Sequence, residues 1–364
     1  MEVIEMADGS KKVKETKLDP EYVEMVSKSI YKSYTDKDKR KLGMEPTAKT
    51  PVYTQAMWTM YRFDSPKKTK RPPLLVIPSL INRNYIMDLL PGHSIMESLV
   101  NAGNDVFIVD WGTPDPSYGH IGLAYYVSKF LKRAVRQVKK ITGADKINLM
   151  GQCLGGTFCA MYAAHPELKK DLNKLLLLTT PLNFENSGLL AKWTNSEGFD
   201  IDKLTSAVGA VVPPEFFHSS FPLLMVRGTL AKYKNLLERF EIPDFKKVWQ
   251  ALDIWSSDNV PFTLQGFRDL IKVFYLRNAF YTEGILIEDK VVRVFDITTP
   301  TLSVAAKDDH VFTETAARAI LESRAAKENK VEHHVMGAGH VTLVAAHPVR
   351  TETYKIFNDY LAAE

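Results

Sequence analysis

The sequence holds only two cysteines, Cys153 and Cys159. On a strand–turn–helix path their side chains point different ways, so no disulfide is expected, and reduced thiols suit a cytoplasmic protein. No window approaches the roughly 18 apolar residues that crossing a bilayer requires. The N-terminus, Met1 to Lys17, is polar and charged where a secretory leader would be apolar. An excess of one charge is missing too: 47 basic against 43 acidic residues leave a net +4, too small and too scattered to argue for nucleic acid. No glycine-rich loop precedes a Lys-Ser/Thr pair to cradle a phosphate, and no group of His and Cys has metal-ligand spacing, so no cofactor and no metal are expected. Internal repeats and low-complexity linkers are absent.

What the chain does have is material for a core. Its 364 residues are 45% apolar and 25% charged, which suits one large α/β domain with an insertion, or two modest domains. The first 50 residues are lysine-rich and weakly helical, with Tyr22, Met25, Val26, Ile30 and Tyr31 near one face. That stripe reads as a packing face, with docking of a partner protein as the sharper alternative. The run Lys67-Lys68-Thr69-Lys70-Arg71 reads as a solvated approach to a strand, with an anionic ligand as its alternative.

Short apolar runs at 74–78, 105–109, 146–150 and 174–179, bounded by Pro, Gly and Asn, predict buried parallel strands. Between the second and third, Val127, Phe130, Leu131, Ala134, Val135 and Val138 recur at helical spacing opposite Lys and Arg. The pattern lapses over 182–292, a stretch rich in Phe, Trp and Pro without obvious strands. It resumes with a strand at 301–306, a helix near 314–327, a strand at 331–336 and a helix after His347. The expectation is an α/β fold with a helical, polar segment at 1–50, a core at 51–181 and 293–364, and a mainly helical cap inserted at 182–292.

The most informative stretch is Gly151-Gln152-Cys153-Leu154-Gly155, a G-x-C-x-G between a strand and a helix. A nucleophile elbow puts its reactive residue on a strained turn, where close neighbours must be glycine. The same turn leaves the thiol at a helix N-terminus, which favours a thiolate. The plain alternative is a structural cysteine in a glycine-rich turn, and Cys159 reads as packing. A nucleophile needs a base and an orienting acid. The α/β-hydrolase fold supplies them in the order nucleophile, acid, histidine, from loops that end core strands. Here the strand at 302–306 ends in Lys307-Asp308-Asp309-His310, and either aspartate suits the role. The strand ending at Met336 leads through Gly337-Ala338-Gly339 to His340. An oxyanion hole would use the backbone N–H of Leu154 and that of Ile81 or Leu80.

At these residues the chain resembles the catalytic subunits of the polyhydroxyalkanoate synthases, from about residue 72 to 340. The loop Pro78-Ser79-Leu80-Ile81-Asn82-Arg83-Asn84-Tyr85, the strand end Asp110-Trp111-Gly112, the box around Cys153 and the turn Thr180-Pro181-Leu182-Asn183-Phe184 are similar to family motifs. So are Trp255, Asp258-Asn259-Val260-Pro261, Phe274-Tyr275, Asn278, Asp309-His310 and Gly339-His340. Phe312-Thr313, Val341-Thr342 and Asn183 depart from the family pattern.

The resemblance implies a Cys153–Asp309–His340 triad acting on a (3R)-hydroxyacyl-coenzyme A, typically 3-hydroxybutyryl-CoA. Polymerisation would pass through a covalent acyl-cysteine and release coenzyme A, with no cofactor beyond the CoA of the substrate. It also implies a second, dissimilar subunit, a possible homodimer, and a cytoplasmic location at the surface of polymer granules. Phe216, Phe217, Phe221, Trp255, Phe262, Phe267, Phe274 and Tyr275 would keep water from the acyl-enzyme, or simply pack the cap. Two rival readings share the fold: a thiol hydrolase of thioesters or polyesters, marked by CoA release far exceeding polymer, and a non-catalytic granule coat, marked by a lost triad member.

Overall fold

The computed structural model describes residues 3–5, 11–13, 19–31, 33–67, 69–185, 187–206, 208–217, 226–345 and 349–363. Eight strands make up the sheet: β1 (Lys49–Gln55), β2 (Trp58–Phe63), β3 (Leu74–Ile77), β4 (Val106–Asp110), β5 (Ile147–Gln152), β6 (Leu172–Leu178), β7 (Thr301–Ala306) and β8 (Val331–Met336). β3 to β7 come from the apolar runs and are buried almost throughout on both faces, as a sheet between helix layers requires, whereas β1 and β8 are mostly exposed or half-buried. One eight-stranded sheet results, in the order β8-β7-β6-β5-β3-β4-β2-β1. The strands from β3 to β8 run parallel, and β2 and β1 complete the β4 edge antiparallel.

The chain runs from β3 outward to β4, then returns to place β5 on the other side of β3. That reversal opens a crevice above the C-terminal ends of β3 and β5, where open α/β sheets bind their ligands. The loop after β3 and the turn after β5 both border it.

Sequence and structure differ in particular places. The hairpin β1–β2 has no counterpart among the predicted strands. The first 50 residues hold two real helices, α1 (Pro20–Tyr31) and α2 (Asp36–Leu42). Thr35 starts α2 through a reciprocal capping box with Asp38, and Gly43 ends it in a left-handed turn at φ 69°. The predicted helix at 314–327 is broken into Glu314–Arg318, a 3₁₀ turn at Ala319–Glu322, and Arg324–Lys327, because Ser323 leaves helical geometry to cap the last piece. The helix after β4 buries all six predicted core residues, although its middle, Tyr126–Leu131, is wound as a π-helix.

The segment 182–292 is mainly helical but carries two small β pairs, Val211–Val212 with Phe262–Thr263 and Ile285–Ile287 with Lys290–Val292. The stripe on α1 divides. Tyr22, Met25 and Val26 pack on Leu236, Phe240 and Trp249, while Ile30 and Tyr31 stay exposed. In the basic run, Arg71 donates to the Ala102 carbonyl at the end of helix Ile95–Asn101, and Lys68 lies outside the described residues.

After helix α3 (Leu154–Ala164), helices α4 (Val226–Glu238) and α5 (Pro243–Ser257) follow within the segment 182–292, and α6 (Val349–Ala362) comes last among the described helices. Lys174 on β6 is 9% exposed, and its ammonium donates to the carbonyls of Tyr360 and Ala363 at the C-terminus of α6. A charged donor to two terminal carbonyls is worth about 1–3 kcal/mol. Lys174→Met should therefore lower the urea midpoint by that order of stability, and an unchanged midpoint would remove the tether from this account.

Candidate active site

β5 ends at Gln152, and the chain turns sharply through Cys153 into α3. Cys153 stands at φ 57°, ψ −130°, a conformation few non-glycine residues adopt and one held only by its surroundings. The turn closes so tightly that a Cβ on Gly155 would lie 2.3 Å from the Ile77 carbonyl oxygen and 2.4 Å from that of Pro78. A Cβ on Gly151 would meet the Gly156 Cα at 2.3 Å. Glycine is required at both positions by close backbone approach. Leu154 opens α3, so its N–H has no acceptor within the helix.

The loops after β7 and β8 bring the other two groups to this turn. Asp309 is buried, while its neighbour Asp308 is exposed. One Asp309 oxygen accepts from the N–H groups of Val311 and Phe312 at 2.8 and 2.9 Å; the other lies 2.7 Å from His340 Nδ1. Of the two aspartates, Asp309 is the one that meets His340, and the Val311 and Phe312 N–H groups hold its carboxylate in place. With Nδ1 bound to the carboxylate, Nε2 is left for the thiol, and the imidazole shares a hydrogen bond with Cys153. Burial opposes a charge on His340. The Cys153 charge, the hydrogen bonds to Asp309 and Cys153 and the Asp309 charge outweigh it, pushing the imidazolium up to about 10.

The residues that depart from the family pattern have visible roles. Phe312 packs its ring 5.8 Å from the imidazole, and Thr342 Oγ1 accepts from the Gly339 N–H at 2.7 Å, closing the turn that carries His340. Asn183 Oδ1 accepts from Asn278 Nδ2 at 2.8 Å and from the Glu185 N–H at 2.9 Å. Only its carbonyl oxygen is used in these bonds, so an aspartate would serve equally.

Cys153 and His340 border an apolar cavity of about 380 Å³, and Asp309 is buried behind the imidazole. Ser79, Ile81 and Leu154 line it from the core, and Trp255, Asn259, Leu270 and Tyr275 from the segment 182–292. Ile81 faces this space, whereas Leu80 is buried in the core and lines none of it. Among the described residues of the aromatic set, only Trp255 and Tyr275 reach the cavity. Phe216, Phe217, Phe262 and Phe267 pack on one another, Phe274 packs on Phe184, and Phe221 lies outside the described residues.

Sequence reasoning missed what holds the loop after β3. Trp111 Nε1 donates to the Pro78 carbonyl at 3.0 Å, and Asn84 Nδ2 to the Val109 carbonyl at 3.3 Å. From the other side, Trp255 Nε1 donates to the Arg83 carbonyl at 2.8 Å. The matched motifs containing Trp111 and Trp255 were the available signal, without indicating that both grip one loop. Elsewhere, His165 accepts at Nδ1 from the Glu167 and Leu168 N–H groups, and His333 meets Ser303, so both serve packing.

The chain is similar to known proteins. Residues 72–345 match the family described as alpha/beta hydrolase fold, and residues 9–99 match the N-terminus of poly-beta-hydroxybutyrate polymerase (PhaC). The likeness therefore begins well before residue 72. The poly(3-hydroxyalkanoate) polymerase subunit PhaC of Allochromatium vinosum is 32% identical over 284 residues, covering 76% of this chain and 78% of that one. The subunit of the same name from Thiocystis violacea is 30% identical over 283 residues, with 76% and 78% covered. Among solved structures, a bacterial membrane phospholipase A superposes with a TM-score of 0.51 at 15% identity over 94% of each chain, a likeness of fold alone. No helix among the described residues is long and apolar enough to cross a membrane. Fold, motif order and identity over most of both chains agree that this chain belongs to the PhaC family of poly(3-hydroxyalkanoate) polymerase subunits, on the α/β-hydrolase fold.

Proposed function

We propose that the protein is the catalytic subunit of a polyester synthase that polymerises (R)-3-hydroxyacyl-CoA, with 3-hydroxybutyryl-CoA as the expected monomer. The observation that carries this reading is the Cys153–His340–Asp309 relay beside an apolar cavity, in a chain of the PhaC family. Cys153 gives its proton to His340. The thiolate attacks the thioester carbonyl, and the backbone N–H groups of Leu154 and Ile81 receive the oxyanion. The C–S bond to coenzyme A breaks, and the departing thiolate takes the His340 proton. The hydroxyl of a second acyl unit, or of the growing chain, then gives its proton to His340 as its oxygen attacks the acyl-cysteine. The Cys153 thiolate leaves beside the protonated His340, ready for the next acyl unit.

Exchange of one thioester for another is nearly balanced in energy, so a thiol suits a step that must hand acyl groups onward. An apolar cavity walled by Trp255, Leu270, Val311 and Phe312 disfavours water as the competing nucleophile. The reaction draws on no cofactor. A second, dissimilar subunit and a place at the polymer granule surface complete the proposal.

The test is coenzyme A release from (R)-3-hydroxybutyryl-CoA with polymer assayed alongside, for wild type and Cys153→Ala, with and without a candidate partner subunit. Release and polymer together, both lost in the variant, are expected. Release without polymer would identify a hydrolase, and turnover surviving in Cys153→Ala would unseat the relay.

A further inference from the structure

We infer that Asp258 is a positioning residue for the oxyanion hole: it ties the loop that presents the Ile81 N–H to the cap and to the N-terminal helices. The inference rests on the reading of Cys153 as the acylated nucleophile. Asp258 follows α5 and is half-buried. Its Oδ2 accepts from Lys39 Nζ of α2 at 2.6 Å and from the Tyr85 hydroxyl at 2.8 Å, and Arg83 Nε stands 3.5 Å from its Oδ1. One carboxylate thus joins three stretches of chain that are far apart in sequence.

The neighbouring contacts run along the same seam. Asn82 pairs antiparallel with Asn259, and the Val260 N–H donates to the Ile81 carbonyl at 3.1 Å. Ile81 is held on its far side by this bond. On its near side Leu80 is buried and Trp111 holds the Pro78 carbonyl. The Ile81 N–H lies between two anchors beside the cavity that Cys153 borders.

The charges fit that task. Burial alone would raise the Asp258 carboxyl, yet the hydrogen bonds from Lys39 and Tyr85 and the charges of Lys39 and Arg83 hold it below its ordinary range. Burial first, then the Asp258 charge, raises Tyr85, which remains a protonated donor. Neutralising Asp258 removes the negative charge shared by Lys39, Arg83 and Tyr85, and leaves the loop to its main-chain bonds, its indole contacts and the side-chain bonds of Arg83 to Gly112 and Thr113 and of Asn84 to Val109. A donor displaced from an oxyanion is felt in the transition state more than in substrate binding.

Two measurements on full-length Asp258→Asn and Lys39→Met test this. The first is amide hydrogen exchange over residues 79–86, which needs no turnover. The second is the pre-steady-state burst of p-nitrophenolate from p-nitrophenyl butyrate and of coenzyme A from (R)-3-hydroxybutyryl-CoA. Faster exchange in the loop is expected, with kcat for acylation down about 10- to 100-fold, KM within about threefold, and iodoacetamide alkylation of Cys153 unchanged. Asp258→Glu should recover most of the loss. Unchanged loop exchange overturns the inference whatever the activity, and so does an equal fall in alkylation, which would mean that the whole site has collapsed. If wild type acylates with the nitrophenyl ester but not with the CoA thioester, and Asp258→Asn still slows the former, the substrate reading fails and the positioning role stands.

Discussion

Replacing His340 with glutamine should slow coenzyme A release by on the order of 10³- to 10⁴-fold, the upper range for loss of a general acid–base. The size follows from the number of tasks on one ring. His340 takes the proton of Cys153, protonates the leaving coenzyme A and deprotonates the incoming hydroxyl. Its titration should report the cycle directly. The Cys153 charge is the largest influence raising His340, against burial, which lowers it. In resting enzyme the imidazole resonances should therefore remain those of imidazolium at pH 8, below the value of about 10. Alkylating Cys153 with iodoacetamide leaves an uncharged thioether. Burial then weighs more heavily, and the same resonances should shift to neutral imidazole at that pH. The acyl-cysteine is uncharged as well, so the change that makes His340 a base occurs at the step that needs one. Imidazole signals that ignore alkylation would sever His340 from Cys153.

How much of this was legible in the sequence depends on whether local pattern or distant contact decides. β7 lies where an apolar run between turn residues places it, β8 spans the predicted 331–336, and the helix after β4 buries all six residues of its predicted face. The hairpin β1–β2 was not legible for physical reasons. β1 is an exposed edge strand containing Pro51, and its turn puts Ala56 at φ 52° where Gly or Asn would have signalled it. Cys153 and His340 could be picked out by their turns. Asp308 and Asp309 are adjacent, and only the family likeness favoured Asp309, because a buried cradle of N–H groups is a tertiary fact. The Asp258 seam is the far case. Its residues stood in matched motifs, but the partners are separated by 173 positions for Tyr85 and 219 for Lys39. No periodicity spans such distances.

A single methyl group at Gly155 should cost about 3 kcal/mol or more and abolish acylation, since the clash is with backbone on two sides. The new Cβ would lie 2.3 Å from the Ile77 oxygen and 2.4 Å from the Pro78 oxygen. Neither atom is the flexible end of a side chain. Ile77 closes strand β3 in the middle of the sheet, and Pro78 begins the loop that Trp111 fixes. Relief requires α3 to lift away from β3, and α3 carries the Leu154 N–H at its first turn. Stability and oxyanion geometry therefore fall together. Gly337 provides the contrast. It belongs to an equally glycine-rich motif beside the base, yet an added Cβ would meet nothing within 4 Å. Gly337→Ala should unfold within about 0.5 kcal/mol of wild type. Urea denaturation of both variants checks the pair. A Gly155→Ala protein as stable as wild type would mean that α3 and β3 approach less closely than this elbow requires, and the strained turn at Cys153 would lose its support.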